Sequence, residues 1–215
     1  MIIRQHLVTS NKAAKVTNGR KNTKRKICIH ETGNKNKGAN AAAHARLQAN
    51  GNSRNASWHW SICDKEAVQS FTHDYQCWAA GTGIGNNEAI HIEICVNSDG
   101  DYKKAVMNAV ELCAKICKEE GLTEKDLVQH SYYSGKNCPE QMRKVTAPIP
   151  WHTFVQMVKS NLTEGSKVKG KYELVEDKES KVWRIQSGTF KTKAEAIKAF
   201  EKSGLPYATI RGSIK

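Results

Sequence analysis

Short β-branched runs separated by segments of helical period constrain this chain more than any other feature. Strands that alternate with helices bury their apolar faces most simply as a sheet with helices laid on it. Lys26–His30 reads as a central strand, and Ala39–Ala49 as a helix ended by Asn50-Gly51. Ser57–Cys63 follows as a strand with Trp58 and Trp60 on one face and His59 on the other, then a strand-like piece at Ala67–Phe71. Ile90–Asn97 is the next strand, Ser98-Asp99-Gly100 a turn, and Tyr102–Glu120 a long amphipathic helix closed by Gly121. Leu127–His130 reads as a short strand and Trp151–Leu162 as the last helix of this part. The expected architecture is α/β, a mixed β-sheet flanked by helices. Residues 1–26 form an irregular lead-in with a short strand at Met1–Ile3.

The stretch Gly81-Thr82-Gly83-Ile84-Gly85 reads as a loop. Its glycine spacing resembles a phosphate cradle only loosely, and no helix is expected to begin there, so nucleotide binding is set aside.

The chemistry gathers at strand ends. His30 and His130 each terminate a β-branched run, where open α/β sheets place ligand sites. The segment from Leu127 to Pro139 sets an imidazole (His130), an ammonium (Lys136) and a thiol (Cys138) within a dozen residues. Two histidines and one cysteine are a three-ligand zinc set that leaves the fourth position open for water, as a catalytic rather than a structural zinc requires. Glu93 sits inside the apolar run Ala89–Val96. Flanking Ile92 and Ile94 fit a carboxylate on the solvent face of a strand equally well, so the pattern alone leaves its role open. Lys136 could likewise be an ordinary loop lysine.

Other histidines and cysteines read as structural. His44, His73 and His152 are expected as hydrogen-bonded core or surface residues, and Cys28, Cys63 and Cys95 as small buried hydrophobes. Cys113 and Cys117 are four apart on one helix face beside Leu112 and Ile116, which favours core packing. Seven cysteines are an odd number without tight repeating spacing, so a disulfide framework is not expected. Cys138 differs, because Gly135, Asn137 and Pro139 surround it with loop chemistry.

Six ordered motifs now carry a resemblance. They are Ile29-His-Glu-Thr-Gly33, Ala41-Ala-Ala-His-Ala-Arg46, Ala56-Ser-Trp-His-Trp60, Trp78-Ala-Ala-Gly-Thr-Gly83, Ile92-Glu-Ile-Cys-Val-Asn97 and Ser134-Gly-Lys-Asn-Cys-Pro139. From about Lys26 to Arg143 the chain resembles the zinc-dependent N-acetylmuramoyl-L-alanine amidases related to peptidoglycan-recognition proteins. The likeness is strongest to endolysins and prophage-encoded wall amidases of Gram-positive bacteria. It implies that His30, His130 and Cys138 hold Zn2+, that Glu93 acts as general base, and that Lys136 stabilises the tetrahedral oxyanion. The reaction implied is hydrolysis, by zinc-activated water, of the amide joining N-acetylmuramic acid to L-alanine in bacterial peptidoglycan. His59 matches a family histidine and is expected near the site as a supporting or structural residue. A non-catalytic peptidoglycan-binding receptor is the alternative; such receptors commonly lack the cysteine ligand, which this chain keeps.

Three positions depart from that pattern. Some relatives use a tyrosine hydroxyl where this chain has Trp58, which puts more weight on Lys136. Close relatives usually have glycine where this chain has His91, leaving the packing behind Glu93 open. Glu31 stands where relatives commonly have an uncharged residue, and no chemistry is assigned to it.

A net charge of +13 favours polyanionic partners, among them anionic wall polymers. The first 26 residues carry eight Lys or Arg and no acid, but a basic arm is usually a solvated tail, and with no recognised nucleic-acid motif a nucleic-acid partner is not expected. No apolar stretch follows these charges, and no run reaches about 18 apolar residues, so neither a signal peptide nor a membrane span is expected. The expectation is synthesis in the cytoplasm and, if the resemblance holds, action on the cell wall after holin-mediated release or lysis.

Composition shifts at 161–171 to Asn, Thr, Ser, Gly and Lys, the signature of a linker between a catalytic domain at 1–160 and a small α+β domain at 172–215. The tail reads as β-β-α-β, with strands at Tyr172–Val175, Lys181–Gln186 and Tyr207–Ile210 and a helix at Lys193–Ser203. Val182–Phe190 and Thr192–Phe200 are similar to the sporulation-related repeat, which implies peptidoglycan binding.

Overall fold

The computed structural model describes residues 1–164 and, beyond them, residues 175–177, 182–185 and 188–190. The chain divides into two compact units, Met1–Lys159 and Ser160–Lys215.

The first unit is built on six strands: β1 (Ile2–Gln5), β2 (Lys26–Glu31), β3 (Trp60–Ile62), β4 (Glu66–Gln69), β5 (Ala89–Ile94) and β6 (Leu127–Gln129). Their order is β1-β4-β3-β5-β2-β6. Only β3 and β4 pair antiparallel; the other neighbours run parallel, which makes the sheet mixed as expected. The interleaved helices are α1 (Ser10–Ala13), α2 (Ala41–Ala49), α3 (Gly83–Glu88), α4 (Tyr102–Glu120), α5 (His130–Ser134) and α6 (Trp151–Glu164).

Register decides which side chains share a face. Cys28 pairs with His91, His30 with Glu93, and Ser61 with Glu93, so these five residues lie on one side of the central strands. Ile27, Ile29, Ile90, Ile92 and Ile94 alternate to the other side and are fully buried. The parallel strands are therefore buried throughout, yet one face is polar. α2 covers part of that polar face through Ala41 and Ala45, which meet Cys63, Val68 and Cys95.

Local signals place the helix ends. The Asn40 side chain accepts the N–H of Ala43 and starts α2, and Asp101 does the same for Lys104 and starts α4. Gly121, at φ +70°, ends α4 where a Cβ would be strained.

Four expectations need correction. The glycine-rich stretch expected to be a loop contains α3: the Thr82 hydroxyl accepts the N–H of Gly85, and Asn86 Oδ1 accepts the N–H groups of Ala79 and Ala80. Gly85 is there because a Cβ would collide with Ala80 and come within 2.6 Å of the Tyr133 ring. The strand expected from Ser57 begins only at Trp60, so Trp58 lies before the alternation and the two indoles part. The Trp58 N–H donates to Ser61, that of Trp60 to His73. His130 is the first residue of α5 rather than the last of β6. Finally, α6 runs to Glu164, so the first residues of the expected linker are helical; Thr163 satisfies its hydroxyl on the Ser160 carbonyl within the helix.

In the second unit β7 (Val175–Asp177), β8 (Val182–Ile185) and β9 (Gly188–Phe190) form an antiparallel sheet in that order. β9 was not expected. The helix expected at Lys193–Ser203 and the strand at Tyr207–Ile210 lie outside the described residues.

Candidate metal centre and its cleft

The polar face of the sheet brings three of the expected site residues together. His30 is the last residue but one of β2, which runs on to Glu31, His130 opens α5 beside it, and their Nδ1 atoms face each other 3.0 Å apart. Cys138 arrives on the loop after α5, which folds back so that its carbonyl accepts the N–H of Ser131 at 3.1 Å. One ligand atom from each of His30, His130 and Cys138 lies within 4.8 Å of the others, and all three residues are buried.

Each donor is prepared differently. Burial first, then the charge of the neighbouring ring and of Lys136, lowers the pKa of His30 well below the ordinary imidazole value; burial and Lys136 lower that of His130. Both rings are neutral at pH 7, the state in which imidazole binds metal. Burial pushes the Cys138 thiol up to about 12, against the partial help of the Glu31 N–H, which points at the sulfur from 3.4 Å. A cation beside that sulfur would stabilise the thiolate outright.

The ring nitrogens away from the centre also have neighbours. The Ala80 carbonyl favours a proton on His130, whose Nε2 faces the 80–81 turn. His30 Nε2 lies 3.1 Å from His91 Nδ1. With protons on both Nε2 atoms, two Nδ1 lone pairs face each other across 3.0 Å. In that tautomer two imidazole lone pairs and the Cys138 sulfur lie within 4.8 Å of one another, a nitrogen and sulfur donor set of the kind zinc takes.

Glu93 projects from β5 beside this group, its Oε1 4.0 Å from His30 Nδ1. Its Oε2 is buried and has no hydrogen-bond partner among the described residues. Burial raises its pKa to about 7, Lys136 pulls it down, and Glu31 pushes it up. A carboxylate poised there exchanges protons readily near neutrality. Lys136 is exposed and lines two cavities that share Glu31, Thr32, Arg54 and Cys138, the outer of about 700 Å3 and the inner of about 200 Å3. Glu93 and His130 line the inner one, with Trp58 and Trp78.

Residues around the donor set complete its surroundings. Glu31 anchors the far side of the cysteine loop: its carboxylate accepts the Tyr102 hydroxyl and the N–H groups of Gln141 and Met142. His44, buried with Nε2 unpartnered among the described residues, lines the inner cavity. Its only sequence signal is an imidazole in an alanine-rich helix. His59 lies behind the site, donating from Nε2 to the Tyr75 carbonyl at 3.0 Å and accepting the His91 N–H on Nδ1 at 2.9 Å, a structural role. His73 is paired with Glu120 at 2.7 Å, as a satisfied histidine should be. A second group, Cys28, His30 and His91, also lies within 4.8 Å, but Cys28 and His91 line neither cavity of the cleft.

Residues 20–141 match the family described as N-acetylmuramoyl-L-alanine amidase. The chain is 36% identical over 151 residues to the N-acetylmuramoyl-L-alanine amidase CwlH of Bacillus subtilis (strain 168), covering 69% of this chain and 58% of that protein. It is 41% identical over 118 residues to XlyA of the same organism, also named an N-acetylmuramoyl-L-alanine amidase, covering 54% of this chain and 39% of that one. The matches thus span about half the length of these curated relatives. Among solved structures, the catalytic domain of XlyA superposes with a TM-score of 0.66 at 34% identity, over 74% of this chain and 99% of that one. PlyL gives 0.66 at 31% identity, over 75% and 99%.

Proposed function

The chain belongs to the N-acetylmuramoyl-L-alanine amidase family, and from that premise we propose that it is a peptidoglycan hydrolase that cleaves the amide between N-acetylmuramic acid and L-alanine. The observation that carries this reading is the convergence of His30, His130 and Cys138 within 4.8 Å, with His130 and Cys138 lining the same cleft as Glu93 and Lys136. In this reading His30, His130 and Cys138 hold Zn2+. When bound, zinc supplies a Lewis acid able to bring the pKa of water to about 7.

The chain's own residues do the rest. Glu93, with its raised pKa and a free oxygen, takes a proton from the attacking water and returns it to the leaving nitrogen. The Lys136 ammonium opposes the charge that develops on the carbonyl oxygen. Trp58 has no hydroxyl to share that task, and its indole N–H is committed to Ser61. Burial of the donor set, and the low exposure of the Glu93 side chain, limit screening by bulk water on that side of the site, while the Lys136 ammonium reaches it from the exposed rim.

The remaining assignments belong to the same reading. Residues 1–160 carry catalysis, and residues 172–215, similar to a sporulation-related repeat, attach the enzyme to peptidoglycan, with the +13 charge adding affinity for anionic wall polymers. Among the described residues no helix is long and apolar enough to cross a membrane. The site of action is the cell wall, reached after holin-mediated release or lysis.

Mass analysis of a digest of Gram-positive walls of known stem composition tests the bond. The expected products are stem peptides with a new L-alanine amine and muramic acid with a free lactyl carboxylate. A chelator should abolish both and added zinc restore them; cleavage elsewhere, or cleavage indifferent to the chelator, rejects the reading.

A further inference from the structure

His91 occupies a position where glycine is expected from the resemblance, and it faces the back of a proposed metal ligand. Its Nδ1 is 3.1 Å from His30 Nε2, while His30 Nδ1 faces His130. The rings of His30 and His91 meet edge-on, at 64° with centroids 5.2 Å apart. Both are fully buried, so no bulk water competes for the contact.

The position of His91 is itself fixed from behind. Its backbone N–H donates to His59 Nδ1 at 2.9 Å, which puts the His59 proton on Nε2, where the Tyr75 carbonyl accepts it at 3.0 Å. The His91 ring stacks on that of His59 at 27° with centroids 5.7 Å apart. Its backbone sits in β5, paired in register with Cys28 of β2. The ring's own Nε2 is buried without a hydrogen-bond partner among the described residues, so the strand backbone and the stacking on His59 are what place Nδ1.

We propose that His91 is a positioning residue that orients His30, accepting the His30 Nε2 proton so that Nδ1 is the nitrogen offered to the metal. This rests on the metal reading given above. His30 has two nitrogens and, without a partner behind it, no reason to commit either one. Behind His130, the Nε2 atom lies against the turn at Gly81. An acceptor behind a ligand ring fixes the tautomer and raises ligand basicity, and losing one typically costs about 10–100-fold in metal affinity. His91 serves better than a fixed acceptor because it can reverse roles. Without metal, His30 can donate from Nδ1 to His130 and receive the His91 Nδ1 proton on Nε2; with metal, both rings carry their proton on Nε2. No net proton is gained or lost in that exchange.

The test is the zinc dissociation constant of the full-length chain, stripped of metal and titrated against a chromophoric chelator. His91→Leu should bind zinc about 10–100-fold more weakly, and His91→Gln, whose carbonyl can accept the same proton, should recover most of the loss. Circular dichroism and urea unfolding of the metal-free forms check that both variants fold. Equal affinity in wild type and a folded His91→Leu overturns the positioning role alone, whereas a wild-type chain that binds no zinc overturns the metal reading with it. Should His91→Leu fail to fold, long-range 1H–15N spectra of the zinc-loaded wild type decide. His30 bound through Nδ1 with its proton on Nε2, and His91 unprotonated at Nδ1, is the expected pattern; coordination through His30 Nε2 overturns the proposal.

Discussion

The backbone N–H of Glu31 points at the sulfur of Cys138 from 3.4 Å, so the residue that follows one proposed ligand in sequence supports another in space. The same residue's carboxylate accepts the N–H groups of Gln141 and Met142 at 2.9 and 3.1 Å and the Tyr102 hydroxyl at 2.5 Å. One side chain therefore ties the end of β2, the start of α4 and the loop that carries the thiol. Its charge comes with a cost at Glu93, whose pKa it helps to raise.

Glu31→Gln should loosen that loop. An amide keeps one acceptor oxygen, for Tyr102 and Met142, but turns its NH2 group toward the Gln141 N–H, leaving that partly buried donor unpaired. Such a loss costs about 1–3 kcal/mol. The urea midpoint of the metal-free protein should fall accordingly, and zinc affinity should fall with it. Unchanged values for both would show that the loop is held by other contacts.

Glu93→Gln and Lys136→Ala separate chemistry from metal binding. Removing a general base typically costs about 10²–10⁴-fold in rate, and removing one oxyanion-stabilising group about 10²–10³-fold in kcat. Both variants should retain zinc, since neither is among the three donors. Release of L-alanine amines from soluble muropeptides, measured beside the zinc content, checks the pair. A variant that loses zinc in proportion to activity would place its residue in the metal centre.

These expectations show which parts of the molecule were legible. The limits of α4 could be read to the residue because everything that sets them is local: the 3.6-residue period, Asp101 at one end and Gly121 at the other. His30 and His130 stood out because each follows a β-branched run, although the proximity of their Nδ1 atoms depends on the pairing of β2 with β6. α3 was missed because the reason for Gly85 lies 48 residues away in Tyr133, beyond the reach of any turn rule. Alternation ends with the strand that produces it, and Trp58 lies two residues before β3 begins, so its neighbours do not follow from the pattern. His91 and Glu31 stand out only as departures from the family pattern, and His44 only as part of a motif, since their contacts come from what β5, the cysteine loop and α2 bring near them.

Gly85→Ala sets two known effects against each other. Alanine gains about 1 kcal/mol of helix propensity over glycine. The added methyl would press on Ala80 and come within 2.6 Å of the Tyr133 ring, and overpacking of this kind costs about 1–3 kcal/mol. The clash involves a backbone-anchored Cβ and a ring whose hydroxyl is held by Glu88 at 2.9 Å, so neither neighbour yields freely. A lower melting temperature is expected, and a raised one would mean that α3 can shift as a unit.

Acid sensitivity should be visible at Asp126, which ends the turn before β6 and so sets the approach to His130. Burial alone would raise its pKa, but hydrogen bonds from the Thr123 N–H and hydroxyl and from Lys26, 3.0 Å away, outweigh burial and hold it below the ordinary carboxylate value. A depressed folded-state pKa means that the unfolded chain binds the proton more readily, so the stabilisation is present above the unfolded value of about 3.9. It is lost as the pH falls through the folded value. The ion pair is partly solvent-screened, so its contribution is about 1 kcal/mol or less. Urea unfolding of wild type and Asp126→Asn should therefore differ at pH 6 and converge as the pH falls below the ordinary carboxylate range. A constant gap at all pH values would assign the stabilisation to the Thr123 cap rather than to the charge.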